Sequence, residues 1–103
     1  MVKIIWTQRS LSDLKVIADY ISQDSLRYAV MTVERIINMT QLLVTNPKIG
    51  RMVPEAGRVD SIREIILGHY RIIYKISSLQ VIHILTVHHT SKRLRQTTLR
   101  RSK

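Results

Sequence analysis

The chain reads as an α+β fold: an N-terminal strand, then a two-helix hairpin packed on a small antiparallel sheet, in the order β-α-α-β-β-β, with a basic C-terminal tail. Three observations predict it. A short β-rich run opens the chain, two stretches of helical apolar spacing follow, and three apolar runs joined by short turn segments come last.

Residues 2–7 form the first strand by composition. Ser10 or Ser12 offers the helix cap after it, with Asp13 in the first turn. Leu11, Leu14, Ala18 and Ile21 then recur at helical spacing, with Ile17 beside them. Ser25 caps a second helix through Ala29, Val33, Ile36, Ile37, Thr40 and Val44, which Asn46-Pro47 ends because a residue before proline resists the helical region. The expected sheet-facing stripe is Leu14, Ala18, Ile21, Val33 and Ile37. Residues 47–60 hold both prolines and two of the three glycines and read as a loop, in which Arg51 and Glu55 are expected to pair with each other.

Residues 61–67, 70–76 and 81–88 are the remaining strands. Their connections, Gly68-His69 and Ser77-Ser78 with its neighbours, are short enough to make them antiparallel neighbours. Alternation puts Tyr70, Ile72, Tyr74 and Ile76 on one face and Arg71, Ile73 and Lys75 on the other. In the last run Val81, His83, Leu85, Val87 and His89 share a face and Ile82, Ile84, Thr86 and His88 oppose them. Both faces are apolar, so this strand belongs inside the sheet.

The 103 residues suffice for one domain with one core, and 45% apolar content is enough to fill it. The absence of cysteine fits a reducing cytoplasm. Apolar runs are far shorter than the roughly 18 residues of a membrane span, and the N-terminus lacks a signal-peptide pattern, so a cytoplasmic protein without membrane attachment is expected. Lys and Arg number 17 against 7 acids, a net +10. Six of those basic residues and no acid fall after Thr90, which favours a polyanionic or acidic partner.

Metal chemistry finds no support. His88 and His89 are adjacent and point apart in a strand, and His83 and His89 are roughly 20 Å apart at strand rise. Three glycines do not build a phosphate loop. No cofactor is expected. What remains is a titratable and cationic group: Glu55, Arg63, Glu64, Tyr70, Arg71, Tyr74, His88 and His89. Such residue types could supply the base, acid and cation of RNA cleavage by 2′-hydroxyl attack, but the pattern alone favours the ion pairs and packed aromatics common in any sheet, with Arg63 and Glu64 pairing with neighbours, the tyrosines packing and the histidines finishing a strand.

The ordered set of motifs is similar to the ParE/RelE toxin superfamily, and within it to ParE-type plasmid-stabilisation toxins. The set is Trp6, Asp13-Leu14, Ile17, Tyr20-Ile21, Ser25 and Ala29, then Pro47-x-x-Gly50-Arg51-x-x-Pro54-Glu55, then Ile62-Arg63-Glu64 and Tyr70-Arg71-Ile72-x-Tyr74. Ile84-Leu85-x-Val87-x-His89-x-x-Lys92-Arg93-Leu94 closes it. The resemblance covers residues 1–95 as a single toxin domain and leaves 96–103 as the basic tail. It implies the toxin of a type II toxin–antitoxin system, growth inhibition, and a cognate antitoxin partner whose acidic segment wraps it. It also implies DNA gyrase as the target, with Lys92, Arg93, Arg95, Arg100 and Arg101 as the target-binding residues; a gyrase poison is a binding protein, not an enzyme. The alternative is a RelE-type endoribonuclease, a ribosome-dependent mRNA interferase whose partners are the ribosome and mRNA. Arg71 and His89 would then be catalytic, with Arg63, Glu64 and Tyr74 as lesser candidates. That pattern continues with a second arginine and a tyrosine where this chain has Thr90 and Gln96.

Overall fold

The computed structural model describes residues 2–90. Strand β1 (Lys3–Trp6) leads into helix α1 (Gln8–Ser22), helix α2 (Leu26–Thr40) and a single turn α3 (Leu42–Thr45). A two-residue strand β2 (Arg51–Met52) and a 3-10 turn (Pro54–Ala56) follow, and then β3 (Ile62–Leu67), β4 (Tyr70–Ile76) and β5 (Val81–His89). The strands form one sheet in the order β1-β5-β4-β3-β2.

The expected α+β order holds, with two additions. The loop carries β2 and the 3-10 turn, and the sheet is mixed. β5, β4, β3 and β2 are antiparallel neighbours, whereas β1 lies parallel to β5, Lys3 opposite Val81 and Trp6 opposite Ile84. Short turns dictate direction only for β3, β4 and β5. The partner of β1 lies at the far end of the chain, so no turn constrains it.

Thr7, not Ser10 or Ser12, caps α1. Its hydroxyl oxygen accepts from the Ser10 amide at 3.1 Å and donates to the Ile84 carbonyl at 2.7 Å. One side chain thus caps the helix and ties it to β5. Ser25 caps α2 as expected, accepting from the Tyr28 amide.

The stripe that faces the sheet is also shifted. Leu14, Ile36 and Leu43 are buried against Ile72, Tyr74, Ile82, Ile84 and Val87, while Ala18, Ile21 and Val33 are half-buried and Ile37 is 39% exposed. Ile36 and Ile37 are consecutive, so only one of them can point at the sheet, and the crossing of α2 over the strands selects Ile36.

A β-bulge changes the faces of β5. Ile73 pairs with Thr86 but Tyr74 pairs with Ile84, so Leu85 is an extra residue. Strict alternation fails there. Ile82, Ile84 and Val87 all join the helix-side core, whereas Leu85 packs with Ile73 and Val53 on the opposite face. As expected, β5 is internal, paired on both sides.

Beyond Trp6 the edge of β5 loses its β1 partner. Asp13 on α1 replaces it, accepting from the Val87 amide at 3.0 Å and from the Thr86 hydroxyl. No helix among the described residues is long and apolar enough to cross a membrane.

Candidate functional site

Residues 46–60 wrap the β3 edge of the sheet and cover part of the face that the helices leave open. Five of the eight residues singled out by the sequence as chemically interesting, Glu55, Arg63, Glu64, Arg71 and Tyr74, hold this loop. Val53 is fully buried against Ile73 and Leu85. Tyr74 donates its hydroxyl to the Pro47 carbonyl at 2.7 Å and accepts from the Gly50 amide at 3.0 Å. Arg63 donates to the carbonyls of Lys48, Gly50 and Asp60 and to the Asp60 carboxylate, which also pairs with Lys48. The two cations hold the Asp60 carboxyl below its ordinary value, Lys48 contributing most.

Gly50 sits against the Glu64 carbonyl and the Tyr74 hydroxyl. A Cβ there would lie 2.5 Å from the first and 2.8 Å from the second. Gly50→Ala should therefore loosen the loop and destabilise the domain by about 1–3 kcal/mol, as overpacked sites do. The check is a urea melt, and an unchanged midpoint contradicts the close approach.

On the open face four charges alternate in a chain. The Arg51 guanidinium meets Glu64 at 2.6 Å. The second oxygen of Glu64 takes the Nε of Arg71, and both terminal nitrogens of Arg71 clamp Glu55 at 2.8 Å. Arg51 and Glu55 do not pair with each other, contrary to expectation; each takes a partner on the sheet. The Glu64 side chain has no exposed surface and that of Arg71 is 12% exposed. Their strands place them side by side: β3 and β4 project Glu64 and Arg71 onto the same face, and the 3-10 turn, begun by Pro54, drops Glu55 onto the guanidinium. The Arg71 hydrogen bonds hold the Glu55 carboxyl down at about 2, and the same contacts push the Arg71 guanidinium up, with Glu55 the larger cause and Glu64 adding to it. The chemistry this arrangement performs is pairing: a carboxylate with no exposed side-chain surface is neutralised, and a loop is fastened.

His89 lies elsewhere, at the end of β5, with His69 stacked on it and Tyr70 edge-on. His88 faces Arg71 across the β4–β5 ladder. Of the candidate catalytic set, the structure therefore gathers Arg63, Glu64, Arg71 and Tyr74 around the loop and leaves His89 at the strand end. Lys92, Arg93, Arg95, Arg100 and Arg101 lie outside the described residues. Among the described residues no group of three or more His, Asp or Glu side chains is arranged to hold a metal ion. Thr7 as a cap and Asp13 as a strand-edge acceptor were not legible in the sequence. Asp13 meets residues 73 and 74 positions away, and no local signal marks such a contact.

The family model of the ParE toxin of type II toxin–antitoxin systems, parDE, matches residues 4–94. The chain belongs to the ParE toxin family. It is 38% identical over 89 residues to Y4kP of Sinorhizobium fredii (strain NBRC 101917 / NGR234), a protein assigned as a toxin, covering 84% of this chain and 86% of that one. Its fold is similar to a chain of the chromosomal ParDE toxin–antitoxin system from P. aeruginosa, with a TM-score of 0.71 at 23% identity over 86% of this chain and 96% of the other. In this ParE-family chain the Pro47-x-x-Gly50-Arg51-x-x-Pro54-Glu55 segment and the Ile62-Arg63-Glu64 and Tyr70-Arg71-Ile72-x-Tyr74 motifs are two halves of one fastening.

Proposed function

We propose that this ParE-family toxin inhibits DNA gyrase by binding it in the cytoplasm, and that a cognate antitoxin neutralises it. The observation that carries the binding reading is the engagement of Arg71. An mRNA interferase would need this guanidinium free to stabilise charge on the phosphate as it is cleaved. Here three of its nitrogens are spent on Glu55 and Glu64. Bringing a phosphate to it would require opening the clamp beside a buried carboxylate. The net charge of +10 supports an acidic antitoxin segment and a polyanion-associated target.

The apolar surface of the helical hairpin supports a protein partner as well. A shallow groove of about 290 Å³ runs between α1 and α2; Ala18, Leu26, Ala29, Val30 and Val33 line it together with the polar Asp19, Ser22 and Glu34. Leu26 is 71% and Val30 50% exposed. Leu26→Asp with Val30→Asp should leave the melt near wild type and abolish rescue of growth by the antitoxin. Intact rescue would place the antitoxin elsewhere.

The purified chain decides the target. It should block gyrase supercoiling and leave message intact on ribosomes. Replacing Lys92, Arg93 and Arg95 by Gln should weaken that block. Cleaved message with unaffected supercoiling would establish the mRNA interferase reading instead.

A further inference from the structure

Helix α2 carries apolar residues on two faces. Ala29 and Ile36 are buried in the chain's own core. Leu26, Val30, Val33 and Ile37 form a second stripe beside them, at intervals of four, three and four residues. That spacing is the heptad seam along which one helix packs against another. The fold does not use it up: Leu26, Val30 and Ile37 are exposed and Val33 is half-buried.

The seam complements a copy of itself. Turned end for end about a two-fold axis level with Met31 and Thr32, it sets Leu26 against the partner's Ile37 and Val30 against the partner's Val33. By symmetry Val33 and Ile37 meet the partner's Val30 and the partner's Leu26. Arg27 and Glu34 are seven residues apart, so they flank the seam on the same side, and both are exposed. Among the described residues neither has an ion pair within the chain. The same rotation brings Arg27 beside the partner's Glu34 and Glu34 beside the partner's Arg27. The apolar order and the charge order thus share one axis. A parallel pair would lose this match. Each charged flank would then face the opposite flank of its neighbour, where Ala29 and Ile36 are buried.

We infer that two copies of the toxin pair antiparallel through α2, joined by this seam and by the two contacts between Arg27 and Glu34. The seam borders the groove proposed above for the antitoxin, so self-pairing and antitoxin binding exclude each other. The inference does not rest on that proposal and is tested on the toxin alone.

The experiment is sedimentation of the purified full chain over a concentration series. At roughly 0.15 M salt the repulsion between two net-positive chains is screened beyond about 8 Å. The seam is one helix long, which places the pair among weak interfaces, so the series runs to roughly 1 mM. The mass should rise with concentration from 12.0 kDa toward twice that value. Arg27→Glu and Glu34→Arg should each weaken association roughly tenfold, since each turns two attractive contacts into two repulsive ones. Mixing the two variants in equal amounts should restore association, because one chain then offers two acids and the other two bases. The chain carrying both substitutions should associate as wild type by itself. Melts of all three should match wild type, since both side chains are exposed. The inference is overturned if the wild-type mass stays at 12.0 kDa throughout the series. It is equally overturned if either single variant associates as wild type, or if the mixture associates no better than its components.

Discussion

Ile36→Asp should abolish the folded domain, whereas Ile37→Asp should leave a cooperative melt within about 1 kcal/mol of wild type. The two residues are neighbours in sequence with the same side chain, but Ile36 has no exposed surface and Ile37 is 39% exposed. An unpaired carboxylate in the position of Ile36 would sit among Leu14, Ile72 and Ile84, with nothing to bond it. Such burial costs several kcal/mol or more, against a total stability of roughly 5–15 kcal/mol. Circular dichroism and the fluorescence of the single Trp6, packed against this core, would report the collapse. Equal damage from both substitutions would mean that α2 is rotated from the orientation described.

The second large effect is expected at Arg71. Arg71→Ala leaves Glu64 without its inner partner and Glu55 without a clamp. Removing one partner of a buried pair typically costs about 3–5 kcal/mol, because the remaining charge stays desolvated. For a domain of this size that corresponds to a fall in Tm of more than about 10 °C. Arg71→Lys should recover part of it, since an ammonium restores charge but cannot clamp Glu55 with two parallel bonds. Loss of toxicity in Arg71→Ala must therefore be compared with its melt before it is read as lost catalysis. A catalytic arginine held for phosphate alone would give a normal melt and no cleavage, and that result would overturn the fastening role. The same network sets an acid limit. The Glu55 carboxyl lies at about 2 in the folded chain, below its ordinary value of 4.5. Its contribution is complete well above pH 4.5 and is lost as pH falls from there toward 2, because in that window the unfolded chain takes up a proton that the folded chain does not. Melts between pH 6 and pH 3 should show that loss, and Glu55→Gln should make the curve shallower. An equally steep curve in the variant would assign the acid sensitivity to other carboxylates.

The sequence determined the order of elements and most of their bounds. Asn46-Pro47, Gly68-His69 and Ser25 are local signals that act within one turn of chain, and the structure places breaks or caps at each. The motif set likewise determined the family, because ordered residues survive whatever each one does. Tertiary structure alone decided the rest. Which of Ile36 and Ile37 is core depends on how α2 crosses the sheet, and local periodicity tolerates either phase. The faces of Leu85 and Val87 depend on one extra residue in β5, which alternation cannot register. The direction of β1 depends on a partner some 78 positions away. Above all, Arg63, Glu64, Arg71 and Tyr74 were legible as a set but not in their role. A charged or phenolic side chain has the same identity whether it meets a substrate or a loop. Only the folded chain, by carrying Glu55, Gly50 and Arg51 onto them, gave each its partner.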